Sequence, residues 1–271
     1  DNPVIPYIEG DGIGMDVTPV MHMAVDAAVL QAYGVRREIR WMRVLAGEKA
    51  RAKYGAGQWL PEETLDALRR FRVSIKGPLA TPLWGNIPSP NVLIRQGLDL
   101  YACVRPIRYF QGVSSPLRNP AAVNIVVFRD NMEDIDSGVE YASGSVGAQR
   151  LMTFLQGLLG MRGIRFPWSS AVGIKPVSKE GTQRFVRRAL QYAIASRRSK
   201  VTLVHKGDIM KHTEGAFVKA GDLLFRIDPR PYQASVDQAE IRMQPRQHVS
   251  VRFVLEQLFQ NGARREMVVE L

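Results

Sequence analysis

A short apolar run, Val4 to Ile8, ends in Glu9-Gly10-Asp11-Gly12-Ile13-Gly14, and a helical pattern follows from Thr18-Pro19 with Ala24, Val25, Ala28 and Val29 on one face. A strand that feeds through a glycine turn into a helix is the opening unit of an α/β fold, and it constrains this chain more than any bulk property does. Pro19 suits a first helical turn, where its missing N–H has no partner to lose. The alternation recurs. Arg37 to Leu45 alternates polar and apolar residues as a half-buried strand would, Pro61 to Phe71 reads as helix, and Val73 to Ile75 as strand. Val123 to Phe128 and Val201 to Val204 are continuous apolar runs, the pattern of strands covered on both faces. Strands alternating with helices predict an α/β protein with a substantially parallel sheet.

Size and composition narrow the class. A chain of 271 residues allows one large or two modest domains. With 45% hydrophobic and 23% charged residues, it is neither disordered nor collagenous. The lone Cys103 can form no intramolecular disulfide. No secretory leader pattern is present and no run approaches the ~20 apolar residues that span a bilayer, so a cytoplasmic protein without a membrane partner is expected. The chain opens at Asp1 rather than Met, so its natural start is expected upstream.

The formal charge is +11, and its placement matters more than its size. Residues 151–200 hold ten basic residues against one acidic, Glu180. Such a block suits a nucleic-acid or acidic membrane surface, or simply a solvated helix face. Arg184, Arg187 and Arg188 recur at helical spacing opposite Val186, Leu190 and Ile194, and no aromatic residues alternate with them to stack bases. The solvated face is the favoured reading, with no nucleic-acid partner. His22 lies in a helical pattern and reads as structural; His205, His212 and His248 lack metal-ligand spacing.

Two loops and a set of arginines carry the chemical signal. Gly10-Asp11-Gly12-Ile13-Gly14 could cradle a phosphate or make a tight turn; a glycine at every second position and the acidic Asp11 favour the turn. Lys76-Gly77-Pro78-Leu79-Ala80-Thr81-Pro82 follows a strand and offers a charge beside a constrained backbone. Arg95, Arg105, Arg108 and Arg129 flank predicted strands, with Ser89 and Asn91 just upstream. Guanidinium forks grip carboxylates, so converging arginines would suit a di- or tricarboxylate, whereas scattered ones would be surface charge.

Six motifs then occur in order: Glu9-Gly10-Asp11-Gly12-Ile13-Gly14, Ile75-Lys76-Gly77-Pro78-Leu79, Ser89-Pro90-Asn91-Val92-Leu93-Ile94-Arg95-Gln96, Arg105-Pro106-Ile107-Arg108-Tyr109, Phe128-Arg129-Asp130-Asn131, and Val204-His205-Lys206-Gly207-Asp208-Ile209-Met210-Lys211. Together, over about residues 2–218, the chain closely resembles the bacterial NADP-dependent isocitrate dehydrogenases. The resemblance implies an isocitrate/isopropylmalate dehydrogenase-like fold. Residues 1–100 would form part of a large α/β domain, 101–133 and 179–218 a small α/β domain, and 134–178 a clasp joining a homodimer. It implies oxidative decarboxylation of isocitrate to 2-oxoglutarate with NADP and Mg2+ or Mn2+. Ser89, Asn91, Arg95, Arg105 and Arg129 fall on the family's isocitrate-binding positions, and Lys206 on the lysine that enters the neighbouring subunit's site to help deprotonate the substrate hydroxyl. Lys76 and Ala80 fall near the nicotinamide, Ala80 in place of a threonine. Ser89 also matches a serine phosphorylated in some members, where added charge would repel a substrate carboxylate.

Two departures from the family stand out. Asp136 occupies the position of the catalytic tyrosine, exchanging a proton-donating phenol for a group with a reference pKa of ~3.9. Beyond about Phe217 the family motifs stop, and with them the metal-binding aspartates, so no metal ligands are expected in this chain. Residues 219–271 read as a tail outside the family. Its start, within about 215–240, resembles the lipoyl-like segment of periplasmic membrane-fusion adaptors, with a helical stub at Ala234 to Met243. Residues 1–100 would then lack their C-terminal sheet partners unless the tail supplies substitutes. The expectation is an impaired dehydrogenase that binds isocitrate or a similar tricarboxylate; the alternative is a non-catalytic chimeric binding or assembly protein using the dehydrogenase part as scaffold.

Overall fold

The computed structural model describes residues 2–81, 89–198, 200–215 and 266–270, the last as backbone. The chain divides into two units, Asp1–Leu100 and Tyr101–Leu271. In the first, β1 (Val4–Ile8) leads into α1 (Gly14–Tyr33), followed by β2 (Arg40–Arg43), α2 (Glu48–Tyr54), α3 (Glu62–Phe71), β3 (Ile75–Lys76) and α4 (Pro90–Gly97). The strands form a parallel sheet in the order β2-β1-β3, with Ile5 opposite Trp41 and Tyr7 opposite Ile75. Ile8, Val44, Ala67, Leu68, Leu79 and Ile94 form its core with Ala46.

Local contacts move several boundaries from where the sequence pattern puts them. Helix α1 begins at Gly14 rather than Thr18-Pro19, because Thr18 Oγ1 donates to the Glu9 carbonyl at 2.9 Å and ties the first turn to the end of β1. Pro19 therefore lies inside the helix. Ala24 and Ala28, expected on a buried face, are exposed, and only Gly14 and Thr18 of α1 are fully buried. His22 is structural, stacked 4.3 Å from Trp41 and meeting Tyr7 edge-on at 4.4 Å. The strand expected over 37–45 shrinks to β2 at the sheet edge. The strand expected at Val73 starts instead at Ile75, because Arg72 ends α3 with φ 61° and turns Val73 out to solvent.

The second unit holds β4 (Ala102–Arg108), β5 (Asn124–Asp130), β6 (Glu140–Tyr141), α5 (Val146–Thr153), β7 (Val172–Gly173), α6 (Lys179–Ala195), β8 (Lys200–Val204) and β9 (Glu266–Glu270). Its main sheet runs β4-β5-β9-β8, and every neighbouring pair is antiparallel. The expected parallel sheet is thus found in the first unit but not here. The helical crossover through α6 does leave β5 and β8 pointing the same way, since both oppose β9, but one place apart. Strand β9 fills that place. The described part of the tail therefore completes the second sheet, and the first keeps β2 and β3 as its edges.

Val126 and Phe128 of β5 pack against Phe185, Val186, Ala189 and Ala193 of α6. Ser178 caps α6 by accepting from the Gly181 N–H at 2.9 Å. The basic block divides accordingly. Arg187 and Arg188 are exposed on the outer face of α6, Arg184 lies over the Tyr101 ring at 4.5 Å, and Arg198 donates to the Asn124 carbonyl at 2.9 Å. In the region 134–178, β6 and β7 form a two-stranded antiparallel ribbon beside α5. No described helix is long and apolar enough to cross a membrane.

Candidate active site

The two glycine loops of the first unit lock onto each other. Gly77 N–H donates to the Ile8 carbonyl at 2.7 Å and Asp11 N–H to the Pro78 carbonyl at 2.6 Å. A side chain on Gly77 would run into the Glu9 carbonyl, and Gly10, at φ 89°, has Pro78 against it. The Asp11 carboxylate, buried in this turn, accepts from Glu48 N–H at 3.0 Å and Ala80 N–H at 2.9 Å. Two of the donors that a phosphate would need, the Asp11 and Gly14 N–H groups, are already taken by backbone carbonyls, which favours the tight turn. Asp11 thereby pins the starts of α1 and α2 and the 76–81 loop, a role that its position between glycines hid in the sequence.

That loop leads to the candidate residues of this unit. Lys76 Nζ donates to the Gly77 carbonyl at 2.7 Å; burial pushes its pKa down, the Arg95 charge adds to the effect and Asp11 opposes it. Asn91 and Arg95 stand one turn apart on α4 and so share a face. Asn91 Nδ2 donates to the Leu79 carbonyl at 3.2 Å, and the Ser89 hydroxyl meets Thr81 Oγ1 at 2.9 Å. Thr81, adjacent to Ala80, supplies a hydroxyl that the motif comparison did not single out.

In the second unit, strand register decides which arginines share a face. Arg105 lies opposite Val127 and Cys103 opposite Arg129, so Arg105 and Arg129 are diagonal neighbours on one face of the sheet. Arg108 lies opposite Asn124, on the face of Val126 and Phe128, and does not join them. Arg105 is exposed, whereas Arg129 is 5% exposed. Arg129 Nη2 donates to both oxygens of Asp136, at 3.0 and 3.2 Å. Asp136 stands on the 3-10 turn Asp134–Ser137.

A buried ionic cluster ties this turn to the Lys206 loop. Lys175 Nζ lies 3.0 Å from Asp134 and 2.5 Å from Glu214, and Glu214 Oε2 accepts from the Lys206 backbone N–H at 3.3 Å. Burial alone would lower the Lys175 pKa, but the two carboxylates prevail and raise it. Removing one partner from such a buried set leaves an uncompensated charge, so Asp134 and Glu214 are held as firmly as they hold. Lys206 itself presents its side chain to solvent. The carboxylates of this cluster are a lysine's ion-pair partners rather than a metal site. Among the described residues no group of three or more His, Cys, Asp or Glu is arranged to hold a metal.

A family profile for isocitrate/isopropylmalate dehydrogenase matches residues 4–224. The isocitrate dehydrogenase (NADP) of Coxiella burnetii is 58% identical over 217 residues, which cover 80% of this chain and 51% of that protein. Isocitrate dehydrogenase (NADP) 1 of Colwellia maris is 57% identical, covering 80% of this chain and 52% of its own length. The crystal structure of isocitrate dehydrogenase from Methylococcus capsulatus superposes with a TM-score of 0.64 at 34% identity, covering 84% of this chain and 58% of that one. The chain thus spans about half the length of the curated relatives it matches. The profile runs several residues past Phe217, where the family motifs were expected to end, and the comparisons lend no support to the adaptor resemblance, whose segment lies almost wholly outside the described residues. On the match over residues 4–224, the chain belongs to the isocitrate/isopropylmalate dehydrogenase family.

Proposed function

We propose that this chain provides the carboxylate-binding portion of an NADP-dependent isocitrate dehydrogenase, in a cytoplasmic setting. The observation that carries the reading is the pairing of Arg105 and Arg129 on one sheet face, with the buried Arg129 Nε lacking a hydrogen-bond partner among the described residues. A buried guanidinium with an unserved N–H is prepared for an anion. Ser89, Asn91 and Arg95 offer a hydroxyl, an amide and a second charge suited to the same class of ligand. In the overall reaction NADP, when bound, accepts a hydride from the C2 carbon of isocitrate. The NADP reading follows the relatives' names, because the N–H groups of Asp11, Gly77 and Ala80 are already taken and Lys76 is the one cation on the loop.

This chain's own groups contribute binding and proton handling. Lys206 falls on the position of the family's lysine that helps deprotonate the substrate hydroxyl, and Asp136 on that of its proton-donating tyrosine. A carboxylate already engaged by Arg129 is a poor replacement for a phenol donor. Turnover is therefore expected to be weak. NADPH formation, followed with isocitrate and Mg2+ or Mn2+, should fall more than tenfold below that of the relatives, and Arg105→Ala should weaken isocitrate binding. Turnover matching the relatives would overturn the impaired site, and unchanged binding would remove the arginine pocket.

The region 134–178 serves as a homodimer clasp in this reading. Leu158, Leu159, Phe166 and Trp168 are all exposed there, Trp168 at 63%, a density of apolar surface that water does not favour. A Trp168→Glu chain should sediment as a monomer where the parent is a dimer. The second reading, a non-catalytic binding protein, is favoured by the same Arg129–Asp136 pair. It predicts isocitrate binding with no NADPH formed.

A further inference from the structure

Arg129 already has a carboxylate. Its Nη2 reaches both oxygens of Asp136, at 3.0 and 3.2 Å, so that one guanidinium nitrogen is shared between the two carboxylate oxygens. The pair is enclosed, with side chains 6% and 11% exposed. Asp136 is held in place rather than drifting there. Its turn is fastened by Asp134 N–H donating to the Pro176 carbonyl at 3.0 Å, by the Asp134–Lys175 pair at 3.0 Å and by Ser137 Oγ on the Ile174 carbonyl at 3.3 Å. On the other edge of the guanidinium, Nε is buried without a hydrogen-bond partner among the described residues. Nη2 is thus occupied while Nε is not.

We propose that Asp136 is a built-in substrate surrogate: a carboxylate that occupies Arg129 and must be displaced, or tolerated as a like charge, before a tricarboxylate can bind. The inference rests on the isocitrate-binding reading above and names the residue that sets the affinity of that site. Asp136 acts through Arg129 and is a positioning residue rather than a catalytic one. A site competent for only a fraction of the time loses affinity by that fraction, so an arginine released one-tenth of the time binds about tenfold more weakly. The consequence reaches specificity too. A ligand whose carboxylate can share the guanidinium with Asp136, using the free Nε edge, suffers less than one that needs the whole fork.

The test measures isocitrate binding to the full chain by the shift in melting temperature that the ligand adds to each variant's own baseline, which separates affinity from any loss of stability. Asp136→Asn keeps the size and an acceptor oxygen but removes the charge, and should bind isocitrate about tenfold more tightly than the parent. Asp136→Glu keeps the charge and should stay at the parent's affinity. In an Arg129→Gln background the gain should vanish, which a merely structural role for Asp136 would not produce. If Asp136→Asn does not fold, Asp136→Tyr, which keeps a polar group on the turn, should show the same gain. Equal or weaker binding by the uncharged variants, with Arg105→Ala still weakening the parent, overturns the surrogate and leaves the isocitrate reading standing. No isocitrate-dependent shift in the parent or any variant overturns both.

Discussion

The two units bury their principal helices very differently. In the second, α6 sinks Thr182, Phe185, Val186, Ala189 and Ala193 against a four-stranded sheet. In the first, the longer α1 buries only Gly14 and Thr18, and Met23 on its surface is 73% exposed. The sheets differ in the same sense. One is three parallel strands with β3 only two residues long; the other is continuous across β4, β5, β9 and β8. A helix adheres in proportion to the apolar area it covers, so α6 is held by its core while α1 is held along its N-terminal half, through Thr18 and the His22–Trp41 stack. Each unit therefore stands on a different kind of contact.

Breaking that contrast starts in the second core. Phe185→Ala empties a site next to Val126 and Phe128 and should cost about 3–5 kcal/mol, read by denaturant unfolding. pH separates the units next. Glu9 has its pKa lowered, first by the hydrogen bond from Lys49 and then by the charges of Arg43 and Lys49, against the opposing effect of burial. Its stabilisation is present above the unfolded carboxylate value and is lost as pH falls through the lower folded value. Lys175, with its pKa raised, contributes stability that is complete below the unfolded lysine value and lost as pH rises through the folded one. Acid should loosen the first unit through Glu9, and alkali the second through Lys175. Hydrogen exchange resolved by segment reads both, and Glu9→Gln should flatten the acid limb. The smallest effect belongs to α1: Met23→Ser should change stability by no more than about 0.5 kcal/mol, because that side chain covers nothing.

Much of this was legible in the sequence wherever periodicity is local. The α6 pattern of Val186 and Leu190 against Arg187 and Arg188 is a direct record of one helix face, and the run ending at Phe128 marks β5. What periodicity cannot encode is pairing. Nothing near Val126 announces that its neighbour is Val269, so a parallel expectation met an antiparallel strand. Pro19 misplaced the start of α1 because a hydroxyl nine residues from its partner carbonyl, not the proline, ties the turn. The arginines were found by type, but Arg108 parts from Arg105 only once β4 and β5 are in register. Asp136 was noticed as a missing phenol; that it would close on Arg129 depends on a turn held from Lys175 and Pro176, far along the chain.

Strand β9 has one more consequence. Ile125 pairs with Glu270, so the centre of the sheet depends on residues made long after its flanks have left the ribosome. Until they arrive, β5 and β8 stand with a vacant lane between them, two rows of unsatisfied amides and carbonyls facing each other. Closing that lane demands a large loop at a late stage, the slowest kind of contact a chain can make. The interval is also when a stray extended peptide would fit best. Folding of the second unit is thus a race between its own β9 and any other strand within reach.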